Sequence, residues 1–148
     1  MKLQISTRIA IFAVLELAAR EGHQLSVADI GEKYDISSHH LAKVMNVMHR
    51  AGLVRSVRGA GGGYQFAANA RRTTLLDVVQ LFEDLSSAEP DSAADATPEG
   101  QALLKILGEI DDIARATLGS ITIATMCKLA DRHQSLVTSR LKTARNSR

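Results

Sequence analysis

A chain of 148 residues, 45% hydrophobic and 23% charged, suits one compact domain and argues against a two-domain enzyme. Aromatic residues make up 3% of it and Trp is absent, so a core must rest on Leu, Ile, Val, Met and Ala, which favours helices over a sandwich. The net charge is only +2, but up to Arg72 there are ten Lys and Arg against five Asp and Glu, and beyond it eight against eleven; the basic first part is a modest pointer to a polyanion, and an ordinary solvated surface explains it about as well.

The first apolar run, Ile9 to Ala19, is interrupted by Glu16 and falls short of the roughly 20 residues that span a bilayer. Lys2 and Arg8 ahead of it imitate a secretory signal, but the internal charge and the lack of a small-x-small cleavage site favour a buried first helix. Ser26 with Asp29 forms a capping box for a short helix to about Tyr34. Asp35-Ile36-Ser37 breaks the pattern, and Ser37 or Ser38 caps a second helix with Leu41, Val44, Met45 and Met48 on its core side. At 100° per residue, His39, Lys43, Asn46 and Arg50 share the opposite face, with His40 beside them.

Ala51-Gly52 ends this helix, Leu53 to Arg58 alternates like a strand, and the glycines at 59, 61, 62 and 63 lead into Tyr64-Gln65-Phe66, a hairpin signal. Thr74 and Asp77 make a second box, with Leu75, Val78, Val79 and Phe82 at helical spacing. Ser86 to Pro98 has three acids, no bases and two prolines, which predicts an exposed, mobile loop. Thr97-Pro98-Glu99 starts a long helix expected to run to about Leu118, with Gly119 as its terminator and a stripe of Leu103, Ile106, Leu107, Ile110, Ile113, Ala114 and Leu118. A last short helix carries Ile123, Met126, Cys127 and Ala130 before a basic tail. The expected organisation is a DNA-binding unit over 1–85, a loop over 86–98, dimerisation helices over 99–131 and a tail over 132–148.

Helix, turn, outward-polar helix and glycine-tipped hairpin in succession spell a mainly α winged helix-turn-helix with a small β-hairpin wing, whose second helix enters the major groove. The candidate reading surface is Ser38, His39, His40, Lys43, Asn46 and Arg50 on the helix, and Arg55, Ser56, Arg58, Gly61, Gly62 and Tyr64 on the wing. A nucleotide loop is excluded, because a dinucleotide fingerprint needs a glycine where Tyr64 stands and a helix where a strand follows. No nucleophile with a partnered base is evident, which argues against an enzyme, and Asp111-Asp112 point 100° apart on a helix.

Met1-Lys2-Leu3 before the first helix, Ile36-Ser37 opening the second helix of the pair, LVRSVRGAGGGY from Leu53 to Tyr64 and the segment Thr74 to Val79 together resemble the Rrf2 family of bacterial regulators, the IscR/NsrR type, over roughly residues 1 to 130. The resemblance implies a homodimer on a partly palindromic double-stranded DNA operator, in the cytoplasm and most often as a repressor, with the long helix, and so Leu103, Leu107, Ile110, Ile113 and Ala114, pairing across the dimer. It places His39, His40 and Lys43 at the base-reading start of the recognition helix and Arg58 as the wing arginine.

The family's iron–sulfur members carry three cysteines in the stretch corresponding to Ser86 through Pro98, where this chain has none, and Gln101 and Arg8 stand where a fourth ligand is expected. The usual cluster cannot form, so no cofactor is expected. Cys127, the one cysteine, is then the sole candidate sensor residue; its plainer reading is a small buried hydrophobe. The alternatives are a protein-interaction winged helix without specific DNA binding, and a redox or iron sensor built on Cys127 across the dimer.

Overall fold

The computed structural model describes residues 1–85 and 90–146. Helix α1, Ile5–Ala18, is apolar on nearly all sides and sits at the centre, packed against helices α3, Ser38–Arg50, α4, Leu75–Val79, and α6, Ile123–Asn146, and against a β-hairpin. Ala10, Ala13, Val14 and Leu17 are wholly buried there, in one continuous core with Ile30, Leu41, Met45, Met48, Val78, Val79 and Ile123.

Helix α2, Val27–Tyr34, begins at the expected box: the Ser26 backbone N–H donates to Asp29 Oδ2 and the Asp29 N–H to Ser26 Oγ, both at 3.0 Å. It ends on Asp35 in the left-handed region, φ 53°. The Ile36 N–H then bonds back to the Gly31 carbonyl at 2.9 Å, and a Cβ on Gly31 would meet the Ile36 oxygen at 2.7 Å, so the sharp turn into α3 needs glycine there. Ser37, rather than Ser38, caps α3, accepting from the His40 N–H at 3.2 Å. The stripe Leu41, Val44, Met45 and Met48 is at most 2% exposed.

Strands β1, Val54–Val57, and β2, Gly63–Phe66, pair antiparallel with Val54 opposite Phe66 and Val57 opposite Gly63, so the chain has its hairpin wing. Leu25 bridges the other edge of β2, exchanging backbone bonds of 3.0 and 2.8 Å with Tyr64. A Cβ on Gly63 would lie 2.2 Å from the Leu25 oxygen, so glycine permits that approach.

Four expectations change. The Thr74–Asp77 box forms, but α4 stops at Val79; Leu81 and Phe82 follow in tightened turns whose N–H groups reach Val78 and Val79 at 3.2 and 3.0 Å. Of the expected loop, Ser86 to Glu89 lie outside the described residues; the rest is largely exposed as expected, but Ala93–Ala96 wind into a 3-10 turn headed by a Ser92–Asp95 box. Helix α5, Pro98–Ser120, starts at the Thr97 cap as read but passes through Gly119, which packs beside Leu76. Its end is set by pairing, since Leu75 N–H to Ile121 O at 2.8 Å and Ile123 N–H to Thr73 O at 2.9 Å pull residue 121 into extended geometry. Finally, the helix expected to be short continues to Asn146 and takes in most of the supposed tail over 132–148, because no Gly or Pro interrupts a run of Lys, Arg, Leu and Ala.

Candidate nucleic-acid interface

With its apolar stripe buried, α3 turns Ser38, His39, Lys43, Asn46 and Arg50 to solvent. Among the described residues, the ion pairs are those of Glu16 with Arg20 and Lys33, so Lys43, Arg50, Arg55 and Arg58 present uncompensated positive charge. Arg55, Ser56, Arg58 and Gly61 are exposed on the wing. Arg55 lies opposite Gln65, whose Oε1 accepts from its Nε and Nη2 at 2.9 and 2.6 Å.

Three of the sequence-derived residues are placed differently from the others. His40 is half-buried, its Nε2 3.1 Å from Ser6 Oγ, and it turns toward α1. Tyr64 is half-buried and packs on the core while its backbone pairs with Leu25. Gly62 is half-buried in the hairpin turn, where a Cβ would lie 2.6 Å from the Val57 oxygen.

Sequence reasoning missed two acidic side chains that fasten α1 to its neighbours. Glu16, 8% exposed, accepts from Tyr34 Oη at 2.9 Å, pairs with Arg20 at 3.0 Å and is bonded by Lys33 Nζ, which ties α1 to α2. Burial alone would raise its pKa, but the bonds from Lys33 and Tyr34 and the charges of Lys33 and Arg20 hold the carboxyl below its ordinary value. Glu83 accepts from Thr7 Oγ1 at 2.5 Å and the Gln4 N–H at 2.7 Å, closing the otherwise uncapped start of α1, and these bonds lower its pKa too. Glu16–Arg20 is an ordinary i,i+4 pair, but the bonds that join separate elements, Glu16 with Lys33 and Tyr34 and Glu83 with Thr7 and Gln4, link residues distant in sequence and leave no local signal.

Leu103, Ile106, Leu107, Ile110 and Ile113 of α5 are 38 to 68% exposed, whereas Ala114 and Leu118 are half-buried. Cys127 is half-buried with Sγ 3.9 Å from the Leu15 oxygen; burial, and secondarily Asp131, pushes its thiol pKa up. The thiol therefore stays protonated near neutral pH.

Residues 3–129 match the profile of the Rrf2 family, described as iron-dependent transcriptional regulators. A Rhodopseudomonas palustris protein named as an HTH-type transcriptional regulator, BadM, is 49% identical over 145 residues, which is 98% of this chain and 89% of that one. Among solved structures, CymR, the global cysteine regulator of B. subtilis, superposes with a TM-score of 0.74 at 25% identity over 87% of this chain and 98% of its own. IscR of T. potens does so at 0.68 and 30% identity, over 90% and 91%.

The family description raises iron, and the donor set here does not fit it. The whole chain holds one thiol, and among the described residues no three His, Cys, Asp or Glu side chains converge as a metal site would require. Among the described residues, too, no helix is long and apolar enough to cross a membrane. From the matched profile and the fold shared with these regulators, the chain belongs to the Rrf2 family and is a DNA-binding transcription regulator of the winged-helix class, not an enzyme.

Proposed function

We propose that this protein is a homodimeric, sequence-specific repressor that works without its family's three-cysteine cluster. The observation that carries the reading is the division of α3: one side is sealed into the core, and the other, apart from the small Ala42, offers a partner hydrogen-bonding groups and positive charge. A major groove admits a helix of that size. Lys43 suits a guanine edge or a phosphate and Asn46 an adenine edge, while Ser38, His39 and Arg50 flank them and His40 is held closer to α1. Arg58 on the wing suits the narrow neighbouring groove, with Arg55 and Ser56 on the adjacent backbone.

The exposed stripe of α5 supports the dimer, since a row of large apolar side chains is best covered by its own copy. Repression follows from occupancy alone, because a dimer seated on a promoter obstructs polymerase with no further surface. Cys127, partly buried with its pKa raised, serves packing in this reading.

Selection of duplexes from a random pool, followed by titration at rising salt, tests the proposal. A site with two related half-sites and a steep loss of affinity with salt is expected. Failure to enrich any duplex would favour a protein-interaction module. The rival reading, a redox or iron sensor on Cys127, predicts in its cluster form an anaerobic preparation that is brown and loses both colour and DNA affinity in Cys127→Ser, and in any form a loss of DNA response in Cys127→Ser; a colourless protein whose Cys127→Ser variant binds DNA as the wild type does, with and without added iron or oxidant, excludes it.

A further inference from the structure

The turn that follows α1 is joined to the wing by a chain of side-chain bonds that the reading surface above leaves out. Gln65 Oε1 accepts twice from Arg55, at 2.9 and 2.6 Å, and Gln65 Nε2 donates to Gln24 Oε1 at 3.2 Å and to the Gly22 carbonyl at 3.3 Å. Gln24 Nε2 in turn donates to the Gly61 carbonyl at 3.0 Å, in the hairpin tip. All four bonding positions of the Gln65 amide are thus in use, and its orientation is fixed by its neighbours. Reversing the amide would set N–H groups against the guanidinium and an oxygen against two oxygens.

We infer that Gln65 is a positioning residue for DNA binding, holding the Arg55 guanidinium in place for a backbone phosphate while Gln24 ties the same network to the wing tip. The inference rests on the DNA reading proposed above. Two chemical features carry it. Arg55 spends two of its five N–H donors on Gln65, which leaves three without a partner among the described residues, enough for a forked phosphate contact. The residue that holds it is a neutral amide, so Arg55 keeps its full charge; a carboxylate at the same place would hold it equally well and cancel that charge. Ordering the side chain before binding removes part of the entropy cost of the contact.

The test uses the full chain and a duplex that the wild type selects from a random pool. Gln65→Ala should weaken binding about 3- to 10-fold, the scale of one lost ordering hydrogen-bond set. Arg55→Ala should weaken it as well and lower the slope of log affinity against log salt by about one. The double variant should bind no more weakly than Arg55→Ala, since Gln65 acts through Arg55. Gln65→Glu, close in shape, keeps an acceptor for Arg55 but sets an oxygen against the Gln24 and Gly22 oxygens, so it should fold with a lowered melting temperature and show the lowered salt slope of Arg55→Ala; it carries the test if Gln65→Ala does not fold. Wild-type affinity in Gln65→Ala, or an equal penalty with and without Arg55, overturns the inference and leaves a clip that only stiffens the hairpin. A pool in which the wild type enriches nothing defeats the DNA reading itself, an outcome separate from failure of the variants.

Discussion

Helices α3 and α5 are both amphipathic, and the chain treats them in opposite ways. The apolar stripe of α3 is at most 2% exposed, whereas the large apolar residues of α5 from Leu103 to Ile113 are 38 to 68% exposed. A helix whose apolar side its own chain has covered meets other molecules through its polar side. One whose apolar side is left open requires a further apolar surface. In the proposed reading, this contrast leaves α3 to nucleic acid and α5 to a second copy.

The largest expected effect breaks the α5 side of that contrast. Ile110 is more than half exposed in the single chain, so Ile110→Asp leaves the monomer fold intact by circular dichroism but places a carboxylate in the proposed dimer interface. Burying it unpaired costs several kcal/mol, and sedimentation should show monomers at concentrations where the wild type is dimeric. A wild type that is itself monomeric at tens of micromolar, the order expected of a weak dimer, contradicts the dimer.

The α3 side is tested next. Lys43→Ala should cost about 1 to 3 kcal/mol of binding and relax discrimination at a central base pair. Arg58→Ala should relax preference at flanking positions instead. Unchanged footprints in both variants would remove the reading surface from α3 and the wing.

A smaller effect concerns the tie that Glu16 makes between α1 and α2. Glu16→Gln should lower stability by about 2 kcal/mol at neutral pH, as expected for weakening a partly buried charged hydrogen-bond set. The folded state holds the Glu16 pKa below its ordinary 4.5, so this stabilisation is present above the unfolded value and is lost as pH falls through the folded one. The gap between variant and wild type in urea melts should therefore narrow on acidification below about pH 4.5. The smallest effect is that of Cys127→Ser, which should change stability slightly and operator affinity hardly at all, because a protonated, half-buried thiol acts as a packing group.

The sequence revealed what short-range chemistry determines. The boxes Ser26–Asp29 and Thr74–Asp77 each close within three residues, and so does the Thr97 cap; the period of Leu41 to Met48 placed both faces of α3. What it hid depends on distant contacts. Glu16 meets Lys33 across 17 residues, Gln65 meets Gln24 across 41, and Glu83 meets Thr7 across 76, with no motif joining the partners. Gly119 misled for the same reason, since a strand-like pairing between Thr73–Leu75 and Ile121–Ile123 sets the end of α5. His40 shares the helix start with His39, but its bond to Ser6, 34 residues away, draws it toward α1.

The central claim, that the polar face of α3 reads DNA, is tested most directly by selecting duplexes from a random pool with the wild type and with Lys43→Ala in parallel. The account predicts that the wild type enriches two related half-sites about one helical turn apart and that the variant loses preference at one defined base pair in each. Enrichment of the same sequence to the same degree by both proteins, or of none by the wild type, would contradict it.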